Sequence, residues 1–421
     1  MTSTSDPSST SAERVLAETY RADWGRLLSA LVARTRRLDL AEDALGEAFA
    51  RASARWPAAG VPTNPGGWLY TTAWRLVIGG LRAEAIRGRK ASLLAVGSEW
   101  VQPAGVDHFD DLADERLSLI LLCCHPALRP EARSPLALRL VIGTSTAEIA
   151  RLFLVSPSTM SARITRAKKK IVTAGIPLSR PVDEELRARL DDVCRTIYIA
   201  FTAGYTPGQG PDLLRADLAG EAVELASVLH QLVPEAQQVE ALYGLLLLQH
   251  ARRDARVRDG QLVTLTDQDR SLWHHRGLRT GLGIVADLPE AHGYAEELRL
   301  QGLIAAEHGR APSAIDTDWK VIAALYAKLE TLTRSPVVRL NRAVAVAEAQ
   351  GAADGLALLV GLDEILPNNH RLHAVRADLA RRAGNLDLAR TSYRRALDRC
   401  TNDIERQHLA ARIDALDLTV T

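Results

Sequence analysis

Cysteine is scarce in this sequence, and its placement argues against the usual cysteine-built sites. The chain has 421 residues and four cysteines, Cys123, Cys124, Cys194 and Cys400, and no pair has the CxxC spacing. A disulfide framework or a zinc knuckle needs more cysteines, or cysteines at that spacing. We therefore expect a protein of the reducing cytoplasm, with no metal ion and no other cofactor.

Long apolar runs and a targeting leader are also missing. A membrane-spanning helix needs roughly 18 apolar residues in a row, and the run YGLLLL at 243–248 is much shorter. The N-terminus, MTSTSDPSSTSAE, is polar and lacks the basic and apolar stretches of a signal peptide. We expect residues 1–14 to form a disordered leader and the protein to have no membrane partner.

Aromatic residues are few, at 5% of the chain, and runs of β-branched residues are rare. Alanine, leucine and arginine, which favour helices, dominate instead. The composition predicts an all-α fold with room for two or three domains. The formal net charge of +1 does not indicate a partner, because only the local distribution of charge steers binding.

Sequence motifs of catalysis are missing too. No P-loop, no GxSxG and no dinucleotide-binding glycine pattern occurs, so we do not expect an enzyme. CCHP at 123–126 offers two thiols and an imidazole, but neighbouring helical residues diverge by about 100° and cannot all reach one ion. We interpret CCHP as packing, and a metal-dependent enzyme using Cys123, Cys124 and His125 is a distant alternative.

Three other polar groups receive the same plain interpretation. His370 and His373 could share a helix face, but no nearby acid in the sequence completes a site. His274 and His275 give a weaker signal still. TDQDRSLW at 266–273 is read as a capped helix start, with a docking loop or a ligand contact as the alternative.

The segment LDLAEDALGEAFARA, 38–52, predicts an amphipathic helix with one acidic face. Leu38, Leu45, Phe49 and Ala52 recur at helical spacing on the apolar side. WPAAGVPTNPGG then interrupts the chain, and a second helix starts near Trp68. The acidic face of the first helix carries Asp39, Glu42, Asp43 and Glu47, and the second helix carries Tyr70, Trp74, Arg75, Arg82 and Arg87.

The boundaries of the following blocks are marked by composition. Residues 91–111 contain Gly97, Pro103 and Gly105 and are predicted to be an interdomain linker. A helical block follows over 112–174, and GIPLSRP at 175–181 ends it with a glycine and two prolines. Residues 182–421 form a longer helical region.

The segment 144–171, TSTAEIARLFLVSPSTMSARITRAKKKI, predicts a helix-turn-helix. Ser156 or Ser158 can cap the second helix, and Met160, Ile164, Ala167 and Ile171 form its inward stripe. Glycine would be usual at the turn, where Leu154 or Val155 stands. The outward face is predicted to bind DNA. Its short side chains and arginines would contact base edges, and its lysines would contact phosphates. The residues of this face are Ser158, Thr159, Ser161, Ala162, Arg163, Thr165, Arg166, Lys168, Lys169 and Lys170. The alternative is a solvated basic face on a structural helix.

The last part of the chain, about 335–421, suggests a helical repeat. Gly384, Ala389, Tyr393 and Ala396 match the small and aromatic positions of a tetratricopeptide hairpin, and Gly351 precedes Gly384 by 33 residues. Small residues allow two antiparallel helices to approach closely. The alternative is an unrelated alanine-rich bundle.

Taken in order, these segments resemble the extracytoplasmic-function (sigma-24-like) sigma factors of bacterial RNA polymerase. DERLSLILLCCHPALRPEARSPLALRL, YIAFTAGYT and LTDQDRSLW are similar to the subgroup with a long, tetratricopeptide-like C-terminal extension. The chain departs from the family pattern in AWRLVIGGLR, which is less basic than usual, and at Gly46 on the acidic helix. The resemblance covers nearly the whole chain from about residue 15.

The resemblance implies a role for each segment. Residues 15–90 would be sigma region 2 and 112–174 would be sigma region 4. The acidic face with Asp39, Glu42, Asp43 and Glu47 would bind core RNA polymerase (β′ clamp and β subunit). The helix with Tyr70, Trp74, Arg75, Arg82 and Arg87 would meet the −10 element, its aromatics stacking on unpaired bases. The helix-turn-helix would bind the −35 element.

Two functions are compatible with this sequence. The first is a sigma factor whose C-terminal helical array regulates it or binds a protein or peptide. The second is a helix-turn-helix transcriptional regulator with a tetratricopeptide-like sensor domain, which binds an operator without joining polymerase. Trp68 and Trp74 are also compatible with an ordinary core role.

Overall fold

A computed structural model describes residues 7–88, 115–178, 181, 183–205, 216–258 and 261–418 of the chain. The predicted linker at 91–111 lies outside the described residues. The chain divides into two compact units, Met1–Ala200 and Phe201–Thr421. Within the described residues the only strands are a two-residue pair, and the rest of the regular structure is helical. The predicted all-α fold is confirmed.

The first unit contains nine helices in its described part, the last of which continues past Ala200. The predicted disordered leader is wrong for residues 7–14, which lie in the first helix, while residues 1–6 lie outside the described residues. The helices are α1 Pro7–Thr35, α2 Leu38–Ala59, α3 Pro65–Gly88, α4 Arg116–Cys123, α5 Pro130–Leu140, α6 Thr146–Leu152, α7 Pro157–Thr173, α8 Asp183–Arg187 and α9 Leu190–Tyr205.

Helices α1, α2 and α3 pack on one another through apolar faces set by helical spacing. Leu28 and Leu31 of α1 and Leu45 of α2 are fully buried. Gly60 follows α2 at φ 84, a left-handed conformation that favours glycine. Asn64 then accepts a hydrogen bond of 2.7 Å from the backbone N–H of Gly67 at the start of α3. The sequence WPAAGVPTNPGG therefore forms the break between two helices, as its composition predicts.

Helix α9 belongs in part to the first unit. Its residues Leu190, Val193 and Ile197 are buried. Thr196 donates a hydrogen bond of 2.9 Å to Ser134 in α5, and Arg189, just before α9, donates one of 3.2 Å to the Leu121 carbonyl in α4. The first unit thus extends beyond the GIPLSRP segment that ends the helical block in the sequence.

The second unit is also mainly helical in its described part. A short antiparallel pair, β1 Val257–Arg258 and β2 Gln261–Leu262, interrupts it, with Val257 opposite Leu262. Its helices after α9 are α10 Ala216–Leu232, α11 Gln237–His250, α12 His275–Asp287, α13 Gly293–Arg310, α14 Trp319–Thr333, α15 Pro336–Ala349, α16 Ala352–Leu358, α17 Leu362–Ile365, α18 His370–Arg382, α19 Leu386–Arg399 and α20 Asp403–Leu418.

The two glycines of the suspected repeat each lie between two helices. Gly351 separates α15 from α16 at φ 127, and Gly384 separates α18 from α19 at φ 81. Ala377 in α18 and Ala389 and Ala396 in α19 are fully buried, so small residues allow these two helices to approach. No helix in the described part of the chain has the length and apolar character needed to cross a bilayer.

Candidate nucleic-acid interface

Helices α6 and α7 form the helix-turn-helix, and each begins with a side-chain cap. At α6, Ser145 accepts from the backbone N–H of Glu148 while the Glu148 carboxylate accepts from the backbone N–H of Ser145. At α7, Ser156 accepts from the backbone N–H of Thr159 at 3.2 Å, so Ser156 and not Ser158 is the cap. Both helix starts are fixed by local sequence.

The turn between α6 and α7 contains an unfavourable residue. Leu154 adopts φ 53, in the left-handed region, and its side chain is 93% exposed. This conformation costs a non-glycine residue roughly 1 to 2 kcal/mol. Glycine would adopt this positive φ without that cost, which is why glycine is usual at such a turn. Leu152, the last residue of α6, is 37% exposed.

The inward stripe of α7 is buried as predicted, with Met160, Ile164, Ala167 and Ile171 at its four positions. Its outward face is open to solvent over most of its length. Arg163 is half-buried, and Arg166 uses its Nε to donate 3.1 Å to the Ala162 carbonyl of the same helix. The exposed members of the predicted DNA-binding set are Ser158, Thr159, Ser161, Ala162, Thr165, Arg166, Lys169 and Lys170.

Lys168 is the exception on this helix, because its ammonium lies against the acidic helix α2. Its Nζ is 2.5 Å from Oε1 of Glu42. The side chains are 28% and 16% exposed respectively, so the pair is largely shielded from water. One residue predicted to bind phosphate and one predicted to bind polymerase therefore neutralise each other in this arrangement.

The other acidic residues of α2 differ in their surroundings. Asp39 accepts from Arg37 at 2.8 Å, and this guanidinium lowers the pKa of the Asp39 carboxyl below its usual value. Glu47 forms a surface pair with Arg51 at 2.9 Å, an interaction of little energetic weight. Asp43 is exposed. Asp43 and Glu47 are thus the most accessible part of the acidic face.

The first unit has two halves, the bundle α1–α3 and the helices α4–α7 with the helix-turn-helix. A second contact between them involves α1 and the end of α5. A Cβ placed on Gly25 would lie 1.8 Å from the carbonyl oxygen of Val141, so only glycine permits this approach. Nearby, the Tyr20 hydroxyl donates to the Gly143 carbonyl at 3.3 Å. The Arg139 guanidinium lies 5.9 Å from the ring of Trp24. The end of α5 and the residues after it, which precede the helix-turn-helix, therefore pack directly on α1.

A groove of about 680 Å³ lies between these two halves. Its walls combine the acidic face of α2 with the basic side of α7. Asp43 and Glu47 line one wall, and Lys169 and Thr165 line the other. The groove shows that the two opposite charge patterns of the sequence face each other in the folded unit.

The aromatic residues assigned to the −10 element are buried in this structure. Tyr70 is 0% and Trp74 is 4% exposed. The Tyr70 hydroxyl accepts a hydrogen bond of 3.1 Å from Arg34, whose guanidinium lies 4.7 Å from the Trp74 ring centroid. Buried rings cannot stack on bases, so in this arrangement both rings are core residues, which is the other role that the sequence allowed for Trp74. Arg75 and Arg82 on α3 are exposed, and the side chain of Arg87 lies outside the described residues.

CCHP adopts the packing arrangement. Cys123 and Cys124 are fully buried, and burial raises the pKa of the Cys124 thiol to about 12. The Cys124 Sγ lies 3.9 Å from the Thr196 hydroxyl. A buried thiol with a raised pKa is a poor nucleophile and a poor metal ligand in its protonated form.

The remaining polar groups have partners that the sequence did not indicate. His274 contacts Asp254 at 2.6 Å. Asp269 accepts from the backbone N–H of Ser271 at 2.9 Å, which is the capped start expected for TDQDRSLW. His373 is buried, whereas His370 contacts Glu405 at 2.9 Å. Glu405 comes from a helix 35 residues along the chain, which is why no nearby acid in the sequence indicated this contact.

The second unit has a cavity of its own, of about 610 Å³. Trp319, Tyr326 and Tyr393 contribute aromatic surface, and Arg382 and Asp378 contribute opposite charges. Arg382 is paired with Glu348 at 2.5 Å. Such a mixed, concave lining is suited to a peptide or a small molecule.

Several contacts that organise the candidate interface were not predicted from the sequence. Gly25, Arg139 and the Lys168–Glu42 pair depend on contacts across more than 100 residues of chain. Only Gly25 gave a signal, as a glycine within the helical segment ADWGRLL, since such a glycine often marks a close approach.

Comparison with known proteins places two regions of the chain. Residues 118–171 match sigma-70, region 4. The matched residues include nearly all of α4–α7. Residues 189–288 match a family of unknown function, DUF6596. Uncharacterized protein R00370 of Rhizobium meliloti (strain 1021) is 37% identical over 399 residues, covering 92% of this chain and 93% of that protein.

Proposed function

Because the chain belongs to the family of Rhizobium meliloti protein R00370 and carries a sigma-70 region 4 domain, we propose that it is an RNA polymerase sigma factor. It would bind core enzyme and promoter DNA and direct promoter-specific initiation without catalysing a covalent step. The observation that carries the proposal is the exposed polar and basic face of α7 within the region that matches sigma region 4. A protein with this role acts in the cytoplasm, where polymerase works.

Finer features of the proposal rest on the order of the segments. The three helices α1–α3 would be region 2 of an extracytoplasmic-function sigma factor, with α2 offered to the β′ clamp and α7 to the −35 element. The arginines Arg75 and Arg82 of α3 would contact the −10 element. The helices of 182–421 would form a tetratricopeptide-like regulatory extension, whose cavity would take a protein or peptide partner.

The Lys168–Glu42 pair adds a conformational step to the proposal. A sigma factor must present α2 to polymerase and α7 to DNA, whereas here the two helices face each other across one groove. Binding to core enzyme would therefore separate the two halves and free Lys168. The Coulomb energy of a shielded pair opposes this separation by a modest amount that polymerase contacts can exceed.

The test of the proposed function is co-purification with core polymerase followed by transcription in vitro. We expect stable binding that falls at least tenfold when Asp43→Lys and Glu47→Lys are combined, because the accessible acids of α2 are reversed. Glu235→Lys with Asp354→Lys is the matched control, since it makes the same charge change at exposed positions of the second unit. Failure of the unaltered chain to bind core enzyme and initiate transcription contradicts the proposal.

The alternative function is a helix-turn-helix regulator with a tetratricopeptide-like sensor domain. The burial of Tyr70 and Trp74 favours it, because a regulator needs no aromatic surface for unpaired bases. Tight binding to duplex DNA in the absence of polymerase, together with no binding to core enzyme, would select this alternative.

Within α7, the arginines and lysines are predicted to differ in their effects on DNA binding. We expect Arg163→Ala or Arg166→Ala to cost roughly 1 to 3 kcal/mol and to relax sequence preference, because arginines near the helix start meet base edges. Lys169→Ala and Lys170→Ala should weaken binding to all sequences and flatten its salt dependence. Fluorescence anisotropy with specific and scrambled duplexes over a salt series measures both. A change of preference caused only by the lysine variants would reverse these roles.

A further inference from the structure

Three potential metal ligands meet near the end of the second unit. They are His370 at the start of α18, Cys400 directly after α19 and Glu405 in the first turn of α20. Their ligand atoms all lie within 4.8 Å of one another. In the described part of the chain, these side chains form a group of His, Cys and Glu close enough to hold one ion. It involves no residue of the proposed polymerase or DNA surfaces.

Two of the three ligand-to-ligand distances are close to those of a tetrahedral zinc site. His370 Nε2 lies 2.9 Å from Oε2 of Glu405, and Cys400 Sγ lies 3.6 Å from the same oxygen. Zinc bonds of usual length at a tetrahedral angle separate nitrogen from oxygen by about 3.3 Å and sulfur from oxygen by about 3.5 Å. An ion could therefore enter with small side-chain movements.

The chemical types of the ligands agree with the distances. Thiolate, imidazole and carboxylate are the three side-chain ligands that Zn²⁺ takes in proteins. The other carboxylate oxygen, Oε1, faces Arg371 at 3.6 Å, so Oε2 remains for the ion. One thiolate and one carboxylate would neutralise the two charges of zinc, which removes the repulsion between Cys400 and Glu405 when both are ionised.

The surroundings hold these side chains in place. The Asn402 side chain accepts from the backbone N–H of Glu405 at 2.9 Å and fixes the first turn of α20. Cys400 is 3% exposed, so its sulfur is protected from solvent. On the open side lies a cavity of about 320 Å³ lined by His370, Glu405 and His408. Three protein ligands beside a cavity leave a fourth position for water.

From this geometry we propose that His370, Cys400 and Glu405 bind one Zn²⁺ ion per chain. The ion would join the start of α18, the end of α19 and the start of α20. Binding would replace the Cys400 proton and the His370–Glu405 hydrogen bond by three metal bonds, releasing the thiol proton to solvent. This inference is independent of the proposed sigma activity, and it revises the expectation of no metal that the cysteine spacing suggested.

The test uses the full chain, reduced and freed of metal with a chelator, and then titrated with Zn²⁺ against a chromophoric competitor. We expect one equivalent to bind, and Cys400→Ser to weaken binding roughly 100-fold. Cys194→Ser is the matched control, because Cys194 is also buried but lies outside the group. Co²⁺ in place of Zn²⁺ should give a thiolate charge-transfer band that only Cys400→Ser abolishes.

A second variant keeps the test decisive if Cys400→Ser fails to fold. Glu405→Gln has the same shape and can still hydrogen-bond to His370, but its neutral amide is a poor zinc ligand, so binding should weaken at least tenfold with unchanged circular dichroism. Less than one equivalent in the unaltered chain overturns the proposal. Equal affinity in a folded Cys400→Ser or Glu405→Gln variant does so too.

Discussion

Gly25→Ala is expected to separate the helix-turn-helix from the α1–α3 bundle. The new Cβ would lie 1.8 Å from the Val141 carbonyl oxygen, a distance that no real contact tolerates. Because the obstacle is backbone and not a flexible side chain, α1 and the end of α5 must move apart. Overpacking of this kind costs typically 1 to 3 kcal/mol, and here the cost falls on the contact between the two halves.

This separation should change function as well as shape. The Tyr20–Gly143 hydrogen bond and the Arg139–Trp24 contact lie at the same interface and would be lost with it. The Lys168–Glu42 pair then has less support, so α2 and α7 become accessible. We expect DNA affinity and core-polymerase affinity to rise several-fold in the full chain.

The movement can be measured by electron spin resonance between two labels. All four native cysteines are buried, so cysteines introduced at the exposed positions Ser53 in α2 and Ala174 after α7 react selectively. We expect a longer and broader distance distribution in Gly25→Ala. The control is Gly79→Ala in α3, where no atom lies within 4 Å of the new Cβ and helix propensity should add about 1 kcal/mol of stability. An unchanged distance in a folded Gly25→Ala variant would contradict the prediction.

Truncation of the C-terminal region is expected to have two very different outcomes depending on where it is made. A chain ending at Pro181 lacks the buried residues Leu190, Val193 and Ile197, which lie in the part of α9 that belongs to the first unit. Each such side chain contributes roughly 1.5 to 3 kcal/mol. The loss, on the order of 5 kcal/mol, is comparable to the total stability of a small domain. We expect the 1–181 chain to be largely unfolded.

A chain ending at Ala200 should retain a folded first unit. It keeps the Thr196–Ser134 hydrogen bond and the Arg189 bond to Leu121, and it ends at the boundary of the unit. Thermal unfolding followed by circular dichroism compares the two chains directly. Equal midpoints for 1–181 and 1–200 would show that α9 contributes nothing to the unit.

The residue at which the chain is truncated also determines what a measurement of promoter activity can show about the C-terminal region. If 1–181 alone were inactive, unfolding of the helix-turn-helix would account for the result. A gain of promoter activity in folded 1–200 relative to the full chain would identify an inhibitory extension, and a loss would identify a required one. The 1–200 chain is therefore the proper test of the C-terminal region.

The sequence by itself determined the local features of this protein. Helical periodicity fixed which residues of α7 and α2 face inward, because a pattern of 3.6 residues per turn depends only on neighbours along the chain. A serine cap at the start of α7, the break before α3 and the turns at Gly351 and Gly384 also follow from short-range geometry. The resemblance to sigma factors could also be found from the sequence, because it depends on the order of these local segments along the chain.

Only the tertiary structure decided which of these faces meet. The pairing of Lys168 with Glu42, the approach of Gly25 to Val141 and the convergence of His370, Cys400 and Glu405 join residues distant in sequence. The burial of Tyr70 and Trp74 was equally undetermined, since an aromatic residue at helical spacing suits either a core or a base-stacking surface. Periodicity defines a face of a helix, whereas its partner is selected by packing of the whole unit.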